Sequence, residues 1–340
     1  MFLNHSKSRS LAAPHSLGVL LTRTPRLSSV EWQTLNWASR WLIMVRAVVL
    51  VMTLSSVSVG IVLAAIDTTL QWDRVLALLV GLTMAHACNN LVNDWTDQRL
   101  GVDRDNYFRR RYGTHVLEDG LVNPRTFLLV TVLTGCLALA CAAWLIAEVG
   151  SAIIYLTLTG ALFVLFYTWP LKHLALGELA VLLVWGPLLA GGSYFVLTES
   201  INATVLLVSF LAGIGPTLVI LGKHIDKYEH DHDRGIRTLP VVIGQPASQW
   251  LTLSLIAVHW LLVLVLAVRG MPAVSICLIT LPALRSLIIS LLSTPPSSRP
   301  RDFPEEVWPL WFSALAFRYC RDFDFSLLLA LLITALIAFA

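Results

Sequence analysis

The chain has 340 residues, of which 56% are hydrophobic and only 13% charged, with a formal net charge of +3. Soluble domains carry about 25% charged residues, and the mean hydropathy here is +0.74, so a water-soluble enzyme is excluded. Apolar runs of roughly 20 residues, the length that crosses about 30 Å of hydrocarbon as a helix, recur along the whole sequence. They lack the in-out alternation of a membrane barrel. The chain reads as all-α, a polytopic membrane protein.

In chain order, residues 1–38 read as a disordered basic tail, rich in Ser and Arg, with no acid before Glu31. An organellar transit peptide is the alternative, and no cleavable signal peptide is visible. Residues 39–340 read as one transmembrane domain. Its apolar runs place nine helices at about 41–65, 75–94, 126–147, 151–169, 177–197, 202–224, 248–268, 271–292 and 323–340.

Lys and Arg concentrate in the loops that follow even-numbered spans, from Arg99 and Arg104 through Arg125, Lys172, Lys223 and Arg237 to Arg321, while the opposite loops hold only Arg74 and Arg269. By the positive-inside rule the N-terminus is cytosolic and the C-terminus outside. The expected location is a bacterial inner membrane, with an organellar one as the alternative. Cys88, Cys136, Cys141, Cys277 and Cys320 form no CxxC pair, so neither a disulfide framework nor a zinc site is expected.

The two most charged loops follow the second and sixth spans, four helices apart, and each opens with acids where its helix leaves the membrane. This spacing predicts two four-helix units plus a ninth helix. The first segment carries Asn89, Asn90, Asn93, Asp94 and Asp97, then Gly101 and Asp103. Asn90, Asn93, Asp94 and Asp97 are spaced by threes and fours, which puts them on one helical face. Carboxylates with amide oxygens are hard ligands of the kind Mg²⁺ takes together with phosphate oxygens. Asn90 lies about a turn inside the apolar span, where polar side chains tend to face a cavity. A solvated helix end is the plainer reading of an acid pair alone.

The second segment runs from Lys223 and His224 through Asp226, Lys227, Glu229, His230, Asp231, His232 and Asp233 to Gly235 and Arg237. The carboxylates outnumber the histidines, so a hard divalent ion is expected over a transition metal. Two acidic clusters holding Mg²⁺, with Arg109, Arg110, Arg111, Lys172, Lys223, Lys227 and Arg237 as a clamp, fit a diphosphate. An apolar space between helices fits a long lipid tail, so the expected partners are a polyprenyl diphosphate and membrane lipid. There is no glycine-rich phosphate loop, and neither a nucleotide nor a nucleic-acid partner is expected.

These motifs resemble the UbiA superfamily of intramembrane prenyltransferases, which has nine helices, a first motif NDxxDxxxD and a second DxxxD. The resemblance runs from Arg46 to the WPLWF segment that starts at Trp308. The Asn90 to Asp103 arrangement, VLEDGLVNP from Val116, and FYTWPLK ending at Lys172 before Gly177-Glu178 look most like the branch that acts on 1,4-dihydroxy-2-naphthoate in menaquinone synthesis. Two departures stand out. Gly101 occupies the place of the third Asp, and Asp226 and Asp231 are five apart, not four. On an ideal helix that separates them by about 140°, so both reach one metal only if the helix ends or bulges there; Glu229 or Asp233 is the alternative partner.

The resemblance implies an Mg²⁺-dependent prenyltransferase in which Asp94, Asp97, Asp103, Asp226 and Asp231 hold the metal. Asn90 and Asn93 would orient its shell, the basic residues would bind the diphosphate, and Tyr167 and Lys172 would meet an aromatic acceptor. A terpene cyclase, another prenyl acceptor (4-hydroxybenzoate, haem or a lipid glycerol), and more distantly a transporter are the alternatives. Arg46, buried in the first span, is either functional or snorkelling inward.

Overall fold

The computed structural model describes residues 17–22, 25–101, 113–305 and 307–339, and every regular element among them is helical. The long helices are α1 (Ala47–Asp67), α2 (Trp72–Arg99), α3 (Pro124–Val149), α4 (Ala152–Phe166), α5 (Gly177–Thr198), α6 (Ala203–Asp226), α7 (Gln245–Val268), α8 (Pro272–Leu292) and α9 (Trp311–Phe339). Seven of them, all but α4 and α9, are long and apolar enough by composition to cross a membrane. Helix α4 has only 15 residues.

The sequence punctuates these helices. Asn123 caps α3 by accepting the Thr126 N–H at 2.8 Å, with Pro124 in the first turn, and Asn202 caps α6 through the Val205 N–H at 2.9 Å. Both satisfy donors that a helix start leaves open. Helix α5 is interrupted by a π-helical stretch, Val184–Gly191, around Pro187, where the missing N–H breaks the ordinary ladder.

Two boundaries differ from the hydropathy reading. The first span, expected at 41–65, is broken: a short helix covers Trp37–Met44, and α1 starts only at Ala47. Arg46 between them adopts a left-handed backbone, φ 53°. The ninth, expected from 323, begins twelve residues earlier at Trp311. Arg318, Arg321, Asp322 and Asp324 mask its first half in hydropathy without breaking the helix.

Helix α6 is the centre of the bundle: 72% of its most apolar stretch is buried, against 17% for α3, which faces outward. Small residues let its neighbours close in, as they do where lipid removes the hydrophobic drive between helices. A Cβ on Gly213 would lie 2.7 Å from the Leu182 carbonyl oxygen, and one on Gly222 would lie 2.9 Å from the Phe312 carbonyl carbon. Gly222 therefore lets the C-terminal end of α6 dock against the first turn of α9.

Candidate active site

The polar residues of α2 stitch three chain segments together. Asn90 Nδ2 donates to the Val45 carbonyl at 2.9 Å, which pins the break before α1. Asn93 Oδ1 accepts the Thr168 hydroxyl at 2.9 Å, and Asn89 Nδ2 donates to the Val164 carbonyl at 3.0 Å, which fixes the end of α4. One turn on, the guanidinium of Arg46 forms an ion pair with Asp94, and Lys172 Nζ lies 3.3 Å and 3.4 Å from the two oxygens of Asp97. Asp94 and Asp97 are buried. A buried carboxylate without a counter-charge is costly, so the left-handed turn at Arg46 is matched by the charge it delivers.

Lys172 sits in the single turn Leu171–Leu174 that leads into α5. Gly177 is the point on which its neighbours converge: a Cβ there would lie 3.7 Å from Lys172 Cα and 3.8 Å from both the His224 and Tyr167 rings. Behind it, His224 Nδ1 and Glu178 Oε1 are 2.6 Å apart, both buried.

The second segment does break its helix. Helix α6 ends at Asp226, Lys227 is non-helical, and a short helix resumes over Tyr228–Asp233. Asp231 is fully buried, with its carboxylate 3.2 Å from Lys227 Nζ. Asp226 departs from the expected metal ligand: its two oxygens accept the backbone N–H groups of Phe312 and Ser313, each at 2.9 Å. The physical reason is the open first turn of α9, whose N–H donors need acceptors in a low-dielectric setting. Lys227 is buried against that same Asp231, as Lys172 is against Asp97. Arg237 is exposed and does not line the cavity described next. Asp103, Arg109, Arg110 and Arg111 lie outside the described residues.

Beside Arg46 opens a cavity of about 1750 Å³, larger than the roughly 300–1,000 Å³ of ordinary small-molecule pockets. Arg46, Asn89, Asn90, Asn93, Tyr167 and Lys223 line its polar end, and Leu78, Leu145, Ile153 and Val196 its apolar end. Along α2 it runs from Asn93 to Ala77, about 24 Å at 1.5 Å per residue.

Among the described residues no three His, Cys, Asp or Glu side chains converge into a metal cluster. Mg²⁺ does not require one, because it is held by one or two carboxylates together with waters and substrate phosphates. The Asp231 carboxylate is buried with the Lys227 ammonium beside it, and with Asp94 and Asp97 it supplies hard donors. The residues present fit such an ion in kind.

Three contributors carried weaker signals in the sequence. Arg46 showed itself only as a cation inside an apolar run, with nothing to link it to Asp94. Glu178 and His224 are 46 residues apart, and no spacing rule joins them.

Fold and site together define an intramembrane helical bundle with paired acids and bases near one end and a long apolar cavity that Arg46 lines. Residues 53–304 match the UbiA prenyltransferase family, and the chain belongs to it. It is 27% identical over 212 residues to 1,4-dihydroxy-2-naphthoate octaprenyltransferase of Bacillus subtilis, covering 59% of this chain and 65% of that one. It is also 27% identical over 198 residues to human UbiA prenyltransferase domain-containing protein 1, covering 54% of this chain and 58% of that one. The matches thus span a little over half the length of several of these relatives. Among solved structures, a UbiA homologue from Archaeoglobus fulgidus bound to DMAPP and Mg²⁺ superposes with a TM-score of 0.59 at 16% identity, covering 85% of this chain and 98% of that one. At that identity the likeness speaks to the fold.

Proposed function

We propose that the chain transfers a polyprenyl group from its diphosphate to an aromatic acceptor of the 1,4-dihydroxy-2-naphthoate type, with Mg²⁺, as a step in menaquinone-type quinone synthesis. The observation that carries this reading is the pairing of Asp94 with Arg46, which lines the polar end of the cavity, and of Asp97, one turn further along the same helix face, with Lys172. The naphthoate-prenylating relative in Bacillus subtilis supports the acceptor, and the DMAPP- and Mg²⁺-bound homologue supports donor and metal.

In this reading the diphosphate enters at Asn93 and Arg46 and the tail follows the apolar wall toward Ala77. Asp94, Asp97 and Asp231 would hold Mg²⁺, which supplies positive charge to the leaving diphosphate. Arg46, Lys172 and Lys223 bind the diphosphate oxygens, joined by Arg109, Arg110 and Arg111, which follow α2 in the sequence. Heterolysis of the C–O bond leaves its electron pair on the diphosphate and an allylic cation on the tail. Preorganised cations stabilise the charge that develops on the leaving group. An electron-rich ring carbon attacks the cation, and a proton, or carbon dioxide from a naphthoate, then leaves to restore aromaticity. The apolar cavity keeps water from the cation.

The reading is tested by giving membranes that contain the chain a radiolabelled polyprenyl diphosphate and Mg²⁺, with and without 1,4-dihydroxy-2-naphthoate. Label in a prenylated aromatic product, formed only with acceptor, supports it. Labelled hydrocarbon formed without acceptor overturns it.

A further inference from the structure

Partway down the cavity wall stand three polar side chains that binding of the diphosphate and tail does not use. His86 lies on α2 one turn before Asn90, and both line the cavity, as residues four apart on one helical face do. Its Nδ1 is 2.8 Å from the Thr53 hydroxyl of α1. Its ring meets the Trp185 indole of α5 edge-on, with centroids 5.1 Å apart and planes at 88°. Thr53 and Trp185 line the same cavity. Trp185 Nε1 is buried and has no hydrogen-bond partner among the described residues. Trp185 also stands in the π-helical stretch Val184–Gly191, and π turns gather at functional sites.

A hydrocarbon tail offers these groups nothing. Polar atoms at membrane depth are expensive and tend to mark a ligand path. The bond to Thr53 leaves Nε2 as the remaining hydrogen-bonding atom of His86. If Nδ1–H donates to Thr53, Nε2 accepts; if the Thr53 hydroxyl donates, Nε2–H donates. Either way the wall presents one imidazole nitrogen beside an indole, a pairing that suits a flat ring carrying a hydroxyl. The level is also right: His86 lies about 6 Å along α2 from Asn90, where the first carbons of a tail descend from a diphosphate held at Arg46 and Asn93.

We infer that His86, oriented by Thr53 and flanked by Trp185, is the subsite that recognises a ring hydroxyl of the aromatic acceptor. This rests on the reading of the chain as an aromatic prenyltransferase and adds to it the place where the ring sits. The allylic C1 then lies above the ring face, and the ring hydroxyl, by donating electron density, activates the carbon beside it.

The experiment is equilibrium binding to the full chain in lipid nanodiscs, with two probes measured separately: a radiolabelled hydroxynaphthoate, and a radiolabelled geranylgeranyl diphosphate with Mg²⁺. The proposal expects His86→Phe to weaken hydroxynaphthoate binding at least tenfold and leave diphosphate binding within twofold. It expects the O-methylated naphthoate to bind the wild type as weakly as the hydroxyl compound binds His86→Phe, with no further loss when both changes are combined. His86→Gln, which keeps a hydrogen-bonding side chain, should recover part of the affinity. Equal hydroxynaphthoate affinity in wild type and His86→Phe would overturn the subsite, as would a parallel loss of both probes. If the wild type binds the diphosphate but no hydroxynaphthoate, the acceptor subsite falls while the donor reading stands. If it binds neither, the prenyltransferase reading falls with it.

Discussion

The carboxylate of Asp226, the last residue of α6, receives the N–H groups of Phe312 and Ser313 at 2.9 Å each, so one side chain ends α6 and starts α9. Gly222, a turn earlier, allows the close contact with Phe312 that brings the two ends together. The acid that looked like a metal ligand thus acts as a cap supplied from another helix.

Removing that cap should act on stability. Asp226→Ala is expected to lose about 1–2 kcal/mol, the usual worth of a cap, read as a lower melting temperature of the purified chain in detergent. Asp226→Asn, which still accepts hydrogen bonds, should lose less and keep its affinity for geranylgeranyl diphosphate. Abolished diphosphate binding in the folded Asn variant would return Asp226 to the metal site.

The ion pair of Arg46 and Asp94 predicts strong coupling. Arg46→Ala leaves a buried carboxylate without its partner and should destabilise by roughly 3 kcal/mol, the lower part of the range for broken buried pairs, since Arg46 is 24% exposed. Adding Asp94→Ala should recover much of that stability while turnover stays absent. Additive losses in thermal unfolding of the double variant would mean the pair is not coupled.

Lys172 bridges Asp97 and the loop that leads into α5. Lys172→Met should weaken prenyl diphosphate binding about tenfold or more, the worth of one charged hydrogen bond, and Lys172→Arg should restore part of it. Unchanged affinity in the Met variant would place Lys172 outside the diphosphate site.

A pH dependence follows from His173. Burial, and then the Lys172 ammonium beside it, hold its imidazole below the ordinary histidine range, although Asp97 and Asp231 pull the other way. Its Nε2 is buried without a hydrogen-bond partner among the described residues. Near and below pH 6.5 the unfolded chain therefore binds a proton that the folded chain resists, so this group's contribution to stability falls as the pH drops. The melting temperature should decline between pH 7.5 and 5.5, less steeply in His173→Gln. Identical slopes would exclude His173 as the cause.

Much of this architecture was legible because the membrane imposes a length on every helix, and the apolar runs at α3, α6 and α7 mark themselves. Hydropathy misplaced the start of α9 because Arg318 and Asp324 look like a boundary in sequence yet sit inside one continuous helix. It also missed the break at Arg46, where a left-handed residue is paired with an acid 48 positions away. On the site, the threes and fours of Asn90 to Asp97 describe one helix face, which local periodicity can report. The role of Asp226 and the pairing of Glu178 with His224 depend on which helices touch, and no local spacing encodes that.

The central claim is that the acids and bases around Asp94 act on a prenyl diphosphate. The most direct test measures release of inorganic diphosphate from geranylgeranyl diphosphate by the purified chain in nanodiscs, with Mg²⁺ and a hydroxynaphthoate, for wild type and for a folded Asp94→Asn variant. The account predicts steady release by the wild type, dependent on Mg²⁺, and none above background from the variant. Equal release by both, or none by the wild type, would contradict it.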